Sequence, residues 1–247
     1  MVQDRRSFPV PWGMTDLIGV LLLVFATSMV VARWEREVLL EELVRLIPGW
    51  PPELCFAAIA LGLQSGLLLL LSLGVVFYHR SRPSDIGFSL NRQPLLRLLA
   101  VGLGGGLILM LVIGLAAALL SLLFSFPIKP QPFTEVVLQA ENGMQLAILL
   151  ILGAVVAPIA EEAYFRGLVY SYLLQHGGDR VAVVGSAMIF AALHLDAIRF
   201  IPLFLGGMGL AWLREHTGSI YSSIVAHATW NGLMILILWS SKGAVGW

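Results

Sequence analysis

Three short motifs near the C-terminus contain most of the polar side chains that could do chemistry. They are Glu161-Glu162-x-x-x-Arg166, Phe190-x-x-x-His194 and His227-x-x-x-Asn231. Each motif interrupts an otherwise apolar stretch. A charge at the centre of a bilayer costs at least ~2.5–3.5 kcal/mol on insertion scales, so such groups usually pair or face a wet cavity. These motifs are therefore the first candidates for a functional site.

The first motif combines an ion pair with a spare carboxylate. On a helix, Glu162 and Arg166 lie four residues apart on one face and can pair. Glu161 is rotated by about 100° from Glu162 and lacks that partner. An unpaired carboxylate in an apolar helix is a candidate general base or acid. The alternative is a structural pair with an extra glutamate at a helix boundary, for which two adjacent carboxylates would be costly.

The other two motifs each place an imidazole on an apolar helix face. His194 shares its face with Phe190, and His227 shares its face with Asn231. Alone, the first could be a packed histidine and the second an interhelical polar clamp. At 1.5 Å per residue, Glu161, His194 and His227 lie roughly 21, 20 and 12 Å from the inner membrane boundary. All three depths fall within the ~30 Å apolar core, so the three faces can converge on one cavity.

Together these residues could hydrolyse an acyl bond. Glu161 would accept a proton from water, His194 would orient that water, and His227 and Asn231 would hydrogen-bond the developing oxyanion. Neither the HExxH pattern of common zinc proteases nor a GxSG serine motif occurs. Cys55 has no histidine near it in sequence, which argues against a thiol nucleophile.

A zinc ion is the alternative way to activate the water. Glu161, His194 and His227 would be its ligands, with an open position for water. The residues leave both versions open and favour the metal-free one. Asn231 beside His227 suits an oxyanion donor pair better than a ligand set. Zinc sites also usually anchor each histidine's second nitrogen, and Glu162, which could do so, is expected to be committed to Arg166.

Composition excludes most other classes of protein. Of 247 residues, 58% are hydrophobic and 12% are charged, and the mean hydropathy is +0.88. Average soluble domains have about 25% charged residues, so an ordinary soluble enzyme is excluded. Fifteen basic residues balance fifteen acidic ones, which gives no field to hold nucleic acid. The single cysteine excludes an internal disulfide framework and a Cys-rich zinc site. A polytopic transmembrane helix bundle remains.

Apolar stretches of roughly 20 residues predict about seven spans, with a range of six to eight. The predicted spans are 14–32, 54–78, 95–125, 143–174, 181–195, 200–213 and 219–240. The acidic segment 33–53 is predicted to be an interfacial amphipathic helix, and the proline-containing segment 126–142 an extended loop. We therefore divide the chain into N-terminal transmembrane helices with this interfacial segment, 1–140, and a catalytic core, 141–240.

Basic residues predict the orientation of the bundle. With the N-terminus inside, eight arginines and lysines fall on the inner side and six on the outer side. Four of the eight lie in the segment 79–97. We expect an integral, multi-pass protein of the cell membrane, surrounded by lipid.

The three motifs, in this order and at this separation, resemble those of the CPBP intramembrane proteases, also called the Abi family. The stretch Thr217-Gly218-Ser219-Ile220 and the run Ser223 to Ala228 are similar too. The eukaryotic members of the family are the type II CAAX prenyl endopeptidases. The resemblance covers about residues 143–235. It implies an all-helical membrane endopeptidase whose active site contains Glu161, Glu162, His194, His227 and Asn231.

The resemblance to this family does not identify the substrate. Its prenyl-processing members act on a C-terminal CaaX tail that carries a lipidated cysteine. Many bacterial relatives are linked instead to bacteriocin maturation, self-immunity or partner proteins. The resemblance thus implies a peptide or lipidated-protein substrate, and both metal-dependent and glutamate-activated water are described for the family.

Two other functions compete with an endopeptidase. One is a non-catalytic immunity or scaffold protein of the same family. An inactive relative would be expected to lose polar groups that are costly in the bilayer, and here every motif position is intact. The other is a transporter with a carboxylate proton relay, but the sequence shows none of the inverted repeats that transporters often have. The sequence therefore favours the endopeptidase.

Overall fold

The computed structural model describes residues 10–34, 49–124 and 132–242, and no strand occurs within them. The helices are α1 (Met14–Trp34), α2 (Pro52–Tyr78), α3 (Leu95–Phe124), α4 (Pro132–Gln139), α5 (143–177), α6 (179–193), α7 (Phe200–Thr217) and α8 (Ile220–Ser241). The predicted all-α fold is therefore confirmed. Most of the predicted interfacial helix, 33–53, lies outside the described residues.

Helices α5 and α6 are the two arms of a hairpin. A helical stretch of 51 residues is interrupted at Gly178, where φ is +76° and ψ is −175°. A Cβ on Gly185 would lie 2.8 Å from the Leu173 side chain. In a straight helix the two residues would be about 18 Å apart, so the chain must reverse between them. Glycine adopts this left-handed conformation without the steric cost that a side chain would add.

The helices match the predicted number of spans. Five stretches of the described chain are long and apolar enough to cross a membrane: α1, α2, α3, the α5–α6 stretch counted once, and α8. Because α5 and α6 are antiparallel, they count as two. Helix α7 carries Arg214, Glu215 and His216 in its last turn, which lowers its hydropathy. With α7 included, the bundle has seven helices of spanning orientation, as predicted.

The extended loop predicted for 126–142 is wrong over Pro132–Gln139, which forms α4. Proline is tolerated in the first turn of a helix, where its missing N–H would have no partner. Val136 and Val137 are buried and belong to a cluster with Leu54 and Leu149. Burial of one apolar face stabilises this short helix against α2 and α8.

One end of the bundle, called here the basic end, holds the connections 79–94, 178 and 218–219. Asp16 at the start of α1 lies 3.1 Å from His79 at the end of α2. The side-chain amide of Gln93, just before α3, donates to the carbonyl of Thr217 at the end of α7 (2.8 Å). These contacts show that α1 and α3 begin where α2 and α7 end.

The other end, called here the opposite end, holds the connections 140–142 and 194–199. The indole of Trp239 and the ammonium of Lys242 donate to the carbonyl of Ala140, at 3.3 and 3.1 Å. The C-terminus of α8 therefore lies beside the start of α5. The connection from α6 to α7 lies at this end too, because α7 ends at the basic end.

Helices α3 and α8 approach each other closely at two glycines. A Cβ on Gly102 would lie 2.8 Å from the carbonyl oxygen of Ser222, and one on Gly106 would lie 2.6 Å from that of Ala226. Real Cβ atoms do not approach backbone so closely, so only glycine fits at these positions.

Alanine at these sites gives a test of the packing. We expect Gly106→Ala to lower the Tm of the purified protein, because overpacking typically costs ~1–3 kcal/mol. Gly104→Ala is the matched control, since a Cβ there meets nothing within 4 Å. That control should raise Tm slightly, because alanine favours a helix by up to ~1 kcal/mol over glycine. Equal shifts in the two variants, measured by thermal unfolding in detergent, would contradict the close packing.

Candidate active site

Helix α5 is distorted on both sides of its paired glutamates. Two π-helical segments, Ile151–Val156 and Ala163–Val169, flank the short α-helical segment that ends at Glu161 and Glu162. Pro158 in that segment lacks an N–H, and local widening of the helix is one way to accommodate a proline. π-Helical turns occur often at functional sites. Sequence reasoning missed them, although Pro158 was a signal.

The ion pair expected on α5 is present and fully buried. Arg166 Nη1 donates to Glu162 Oε1 at 2.8 Å, and both side chains have no exposed surface. Arg166 Nη2 donates to the carbonyl of Gly207 on α7 (2.9 Å), and the guanidinium lies 4.7 Å over the Phe190 ring. The pair thereby links α5 to α6 and α7.

Glu162 has a second partner that the sequence did not indicate. Its Oε1 also lies 2.9 Å from Nδ1 of His227, which is buried. The expectation that Glu162 is committed to Arg166 and cannot anchor a histidine was therefore wrong. A carboxylate on Nδ1 fixes both the tautomer and the orientation of the ring.

The fixed imidazole presents its other nitrogen to Glu161. His227 Nε2 and Glu161 Oε2 are 3.9 Å apart, and this carboxylate oxygen accepts no hydrogen bond. The distance is too long for a direct hydrogen bond. A water molecule at the usual hydrogen-bond length of about 2.8 Å from each atom would span this distance. The carboxylate and the imidazole are therefore spaced like two groups that share one bridging water.

His194 lies at the end of its helix, where it caps α6. It is exposed, and its Nδ1 lies 2.8 Å from the Phe190 carbonyl oxygen. The Phe190 ring contacts both imidazoles, with centroids 4.6 Å from His194 and 5.8 Å from His227. Phe190 therefore contacts both histidines and lines the same cavity as they do. His194 lies at its edge.

Asn231 connects α8 to the first π-helical segment. Its Nδ2 donates to the carbonyl of Gly153 at 2.9 Å. In an undistorted α-helix, this carbonyl would accept a hydrogen bond from the backbone N–H four residues later. An amide nitrogen carries two hydrogens, so Asn231 keeps one donor for a ligand.

A cavity of about 1040 Å³ joins the predicted residues. Glu161, His194, His227 and Asn231 line it, whereas Glu162 and Arg166 lie behind its wall. Most of the remaining wall is apolar, and α3 contributes six residues to it, more than any other helix. The residues from α3 are Met110, Ile113, Gly114, Ala117, Leu120 and Ser121. Ligand pockets usually span ~300–1,000 Å³, so this cavity can accommodate a peptide segment.

The donors of the cavity do not form a zinc site. In the described part of the chain, no three His, Cys, Asp or Glu side chains are grouped to hold a metal ion. Two atoms that ligate the same tetrahedral zinc ion lie about 3.4 Å apart. The 3.9 Å between Glu161 Oε2 and His227 Nε2 is longer than this. Nδ1 of each histidine has a hydrogen-bond partner, as is usual for histidines that bind zinc. His194, however, does not form one group of ligands with Glu161 and His227.

Residues 143–233 match the family model described as Type II CAAX prenyl endopeptidase Rce1-like. The matched segment includes every residue of the three motifs and supports the relation of this chain to the CPBP family. Helices α1 to α4 lie outside it. Neither the curated proteins nor the solved structures include a match to the chain.

Proposed function

We propose, from this relation to CAAX-type intramembrane proteases, that the chain is an endopeptidase that hydrolyses peptide bonds within the membrane. The observation that carries the proposal is the 3.9 Å gap between Glu161 Oε2 and His227 Nε2, which lies on the wall of an apolar cavity. The Oε2 atom of Glu161 accepts no hydrogen bond from the described residues, so it is available to accept one from water. The alternative is a non-catalytic immunity or scaffold protein, in which Glu161 would have no role.

Hydrolysis begins with the water held between Glu161 and His227. Glu161 accepts a proton from the water, and the oxygen attacks the scissile carbonyl carbon. The developing oxyanion is stabilised by the free amide hydrogen of Asn231 and by Nε2–H of His194 in its imidazolium form, because Nδ1–H of His194 donates to the Phe190 carbonyl. When the C–N bond breaks, the protonated Glu161 returns its proton to the leaving amine.

This mechanism changes two roles that were expected from the sequence. His227 faces Glu161, so it orients the water. His194 lies at the cavity edge and stabilises the oxyanion. Glu162 and Arg166 do not touch the substrate in this scheme, because both are buried behind the wall. They are positioning residues that hold the His227 ring.

The substrate is a polypeptide segment with apolar side chains or an attached lipid. The wall residues contributed by α3 are almost all apolar, so transfer of an apolar segment into the cavity is favourable. The family implies two candidates, a CAAX-type tail and a bacteriocin-related peptide. The aliphatic residues of a CAAX-type tail match this apolar wall.

The proposal is tested with purified protein in liposomes. Quenched fluorescent peptides ending in Cys-aliphatic-aliphatic-X are offered with and without a farnesyl group, beside an apolar peptide without cysteine. We expect cleavage of at least one peptide by the wild-type protein and of none by Glu161→Gln. Because the donors do not form a zinc site, the rate should persist in a strong chelator. Bound zinc in stoichiometric amount, whose removal tracks loss of activity, would contradict the metal-free mechanism.

Removal of the His194 imidazole should lower the rate of catalysis without changing the stability of the protein. We expect His194→Ala to lower kcat by ~10²–10³-fold, the usual loss of one oxyanion donor. Its Tm should stay unchanged because the side chain is exposed. His176→Ala is the matched control, since His176 is also exposed and its Nδ1 lies 2.8 Å from the carbonyl of Tyr172, four residues earlier. Equal activity in the two variants would remove His194 from the mechanism.

A further inference from the structure

Trp230 lies on α8 between the two residues of the third motif and contacts the first of them. Its indole ring stacks on the His227 imidazole, with ring centroids 5.7 Å apart and an angle of 28° between the planes. The two residues are three positions apart, so they share a face of the helix. Trp230 is buried and lines the cavity. The mechanism described so far gives this ring no role.

The hydrogen bond to Glu162 does not by itself fix the plane of the imidazole. It holds Nδ1 of His227 at 2.9 Å, but a hydrogen bond tolerates about 30° of misalignment. Such a tilt would swing Nε2, on the far side of the ring, and change its 3.9 Å distance from Glu161 Oε2. The indole face opposes the tilt, because a stacked pair of rings loses contact when one ring turns out of plane.

The indole is itself held by Gly206 on α7. A Cβ on this buried glycine would lie 2.9 Å from Cζ3 and 3.0 Å from Cη2 of Trp230, and 2.9 Å from Cδ1 of Ile113. The backbone of α7 therefore packs directly against the six-membered ring of the indole. The carbonyl of the next residue, Gly207, accepts the hydrogen bond from Arg166. Two adjacent glycines thus contact both the indole and the ion pair behind the imidazole.

We propose that Trp230 is a positioning residue: its indole face fixes the plane of the His227 imidazole, so that Nε2 stays opposite Glu161. The expected effect on hydrolysis rests on the proposed function, whereas the orientation of the imidazole does not. Because Trp230 also lines the cavity, it would contact a bound substrate. The two roles predict different kinetics. Loss of positioning lowers kcat, whereas loss of a simple wall contact raises KM and leaves kcat unchanged.

The order of the imidazole can be measured by NMR without any substrate. In protein with ¹³C-labelled histidine, the His227 Cε1–H signal is identified by its absence in His227→Gln. Rigid groups have order parameters of about 0.85 and flexible ones below about 0.6. We expect a rigid ring in the wild-type protein and a flexible one in Trp230→Leu. An order parameter that is the same in both proteins would overturn the proposal.

Trp212→Leu is the matched control for this measurement. Its indole lies against the imidazole of His216, with centroids 4.0 Å apart, and both residues are exposed and outside the cavity. The control should therefore leave the order parameter of His227 and the rate of cleavage unchanged. Loss of order at His227 in the control as well would show a general loosening of the protein, and the proposal would fail.

Kinetics in liposomes test the effect on the reaction. We expect Trp230→Leu to lower kcat by about tenfold, the upper end of what one stacked aromatic pair contributes. Trp230→Phe keeps an aromatic face and should recover most of this loss. A higher KM with unchanged kcat in Trp230→Leu would make the indole a wall residue only. If the wild-type protein cleaves no peptide, the proposed hydrolysis fails, and the order parameter still decides the orientation of the ring.

A substitution behind the indole keeps the test sharp should Trp230→Leu fail to fold. Gly206→Ala displaces the indole without removing an atom from the cavity wall, and we expect it to lower kcat. Gly209→Ala is its control, since a Cβ there would overlap the side chain of Leu109, which does not line the cavity. The control overpacks the same helix and should keep kcat. Equal kcat in the two variants would overturn the proposal.

Discussion

Glu161→Gln is expected to abolish proteolysis while the protein remains inserted and folded. The amide keeps the size of the side chain but cannot accept a proton from water, and loss of a general base typically costs ~10²–10⁴-fold in rate. Stability should change little, because the relevant oxygen of Glu161 accepts no hydrogen bond that the substitution would remove. The measurement is peptide cleavage in liposomes, together with Tm in detergent.

Glu135→Gln is the matched control for this variant. Glu135 is exposed on α4, near the opposite end of the bundle, and does not line the cavity. Full activity in the control with none in Glu161→Gln assigns the loss to the carboxylate of Glu161. Undiminished cleavage by Glu161→Gln would remove this residue as the base.

Arg166→Ala is expected to destabilise the whole bundle. The substitution leaves Glu162 buried without its cation, and breaking one side of a buried pair typically costs ~3–5 kcal/mol. It also removes the hydrogen bond to Gly207 and the contact with Phe190. We expect a clear loss of Tm and of protein in the membrane. Arg97→Ala, an exposed arginine on α3, should have neither effect.

A double variant separates the effect of an unpaired buried charge on stability from the role of the Glu162 carboxylate in catalysis. Replacing the pair by Glu162→Gln and Arg166→Met leaves no buried charge unpaired, and such replacements are often neutral for stability. The double variant should therefore be more stable than Arg166→Ala. It should still be inactive, since the carboxylate that fixes His227 is gone. Activity in a stable double variant would show that the buried pair is not needed to position the imidazole.

Local spacing explains what could be predicted of this site. Four-residue spacing put Glu162 and Arg166 on one face, and the same rule put Phe190 and His194 on one face. Both pairs are in contact in the structure. The apolar stretches likewise predicted the spans, because span length is set by the thickness of the bilayer. These features depend on helix geometry alone.

Contacts between helices could not be predicted in the same way. The hydrogen bonds of His227 with Glu162 and of Asn231 with Gly153 join residues 65 and 78 positions apart. They depend on how α8 packs against a distorted α5, and a regular helix would place both differently. The apolar wall from α3 was also missed, since a uniformly apolar helix carries no signal for the face that lines a cavity.

Hydrolysis by Glu161 is tested most directly by mass spectrometry of new peptide termini. Membranes that contain the wild-type protein or Glu161→Gln are incubated in ¹⁸O-labelled water, and the new C-termini are identified. Wild-type membranes should yield peptides whose new carboxyl group carries ¹⁸O and that are absent with Glu161→Gln. The same set of labelled termini from both membranes would contradict intramembrane proteolysis by this chain.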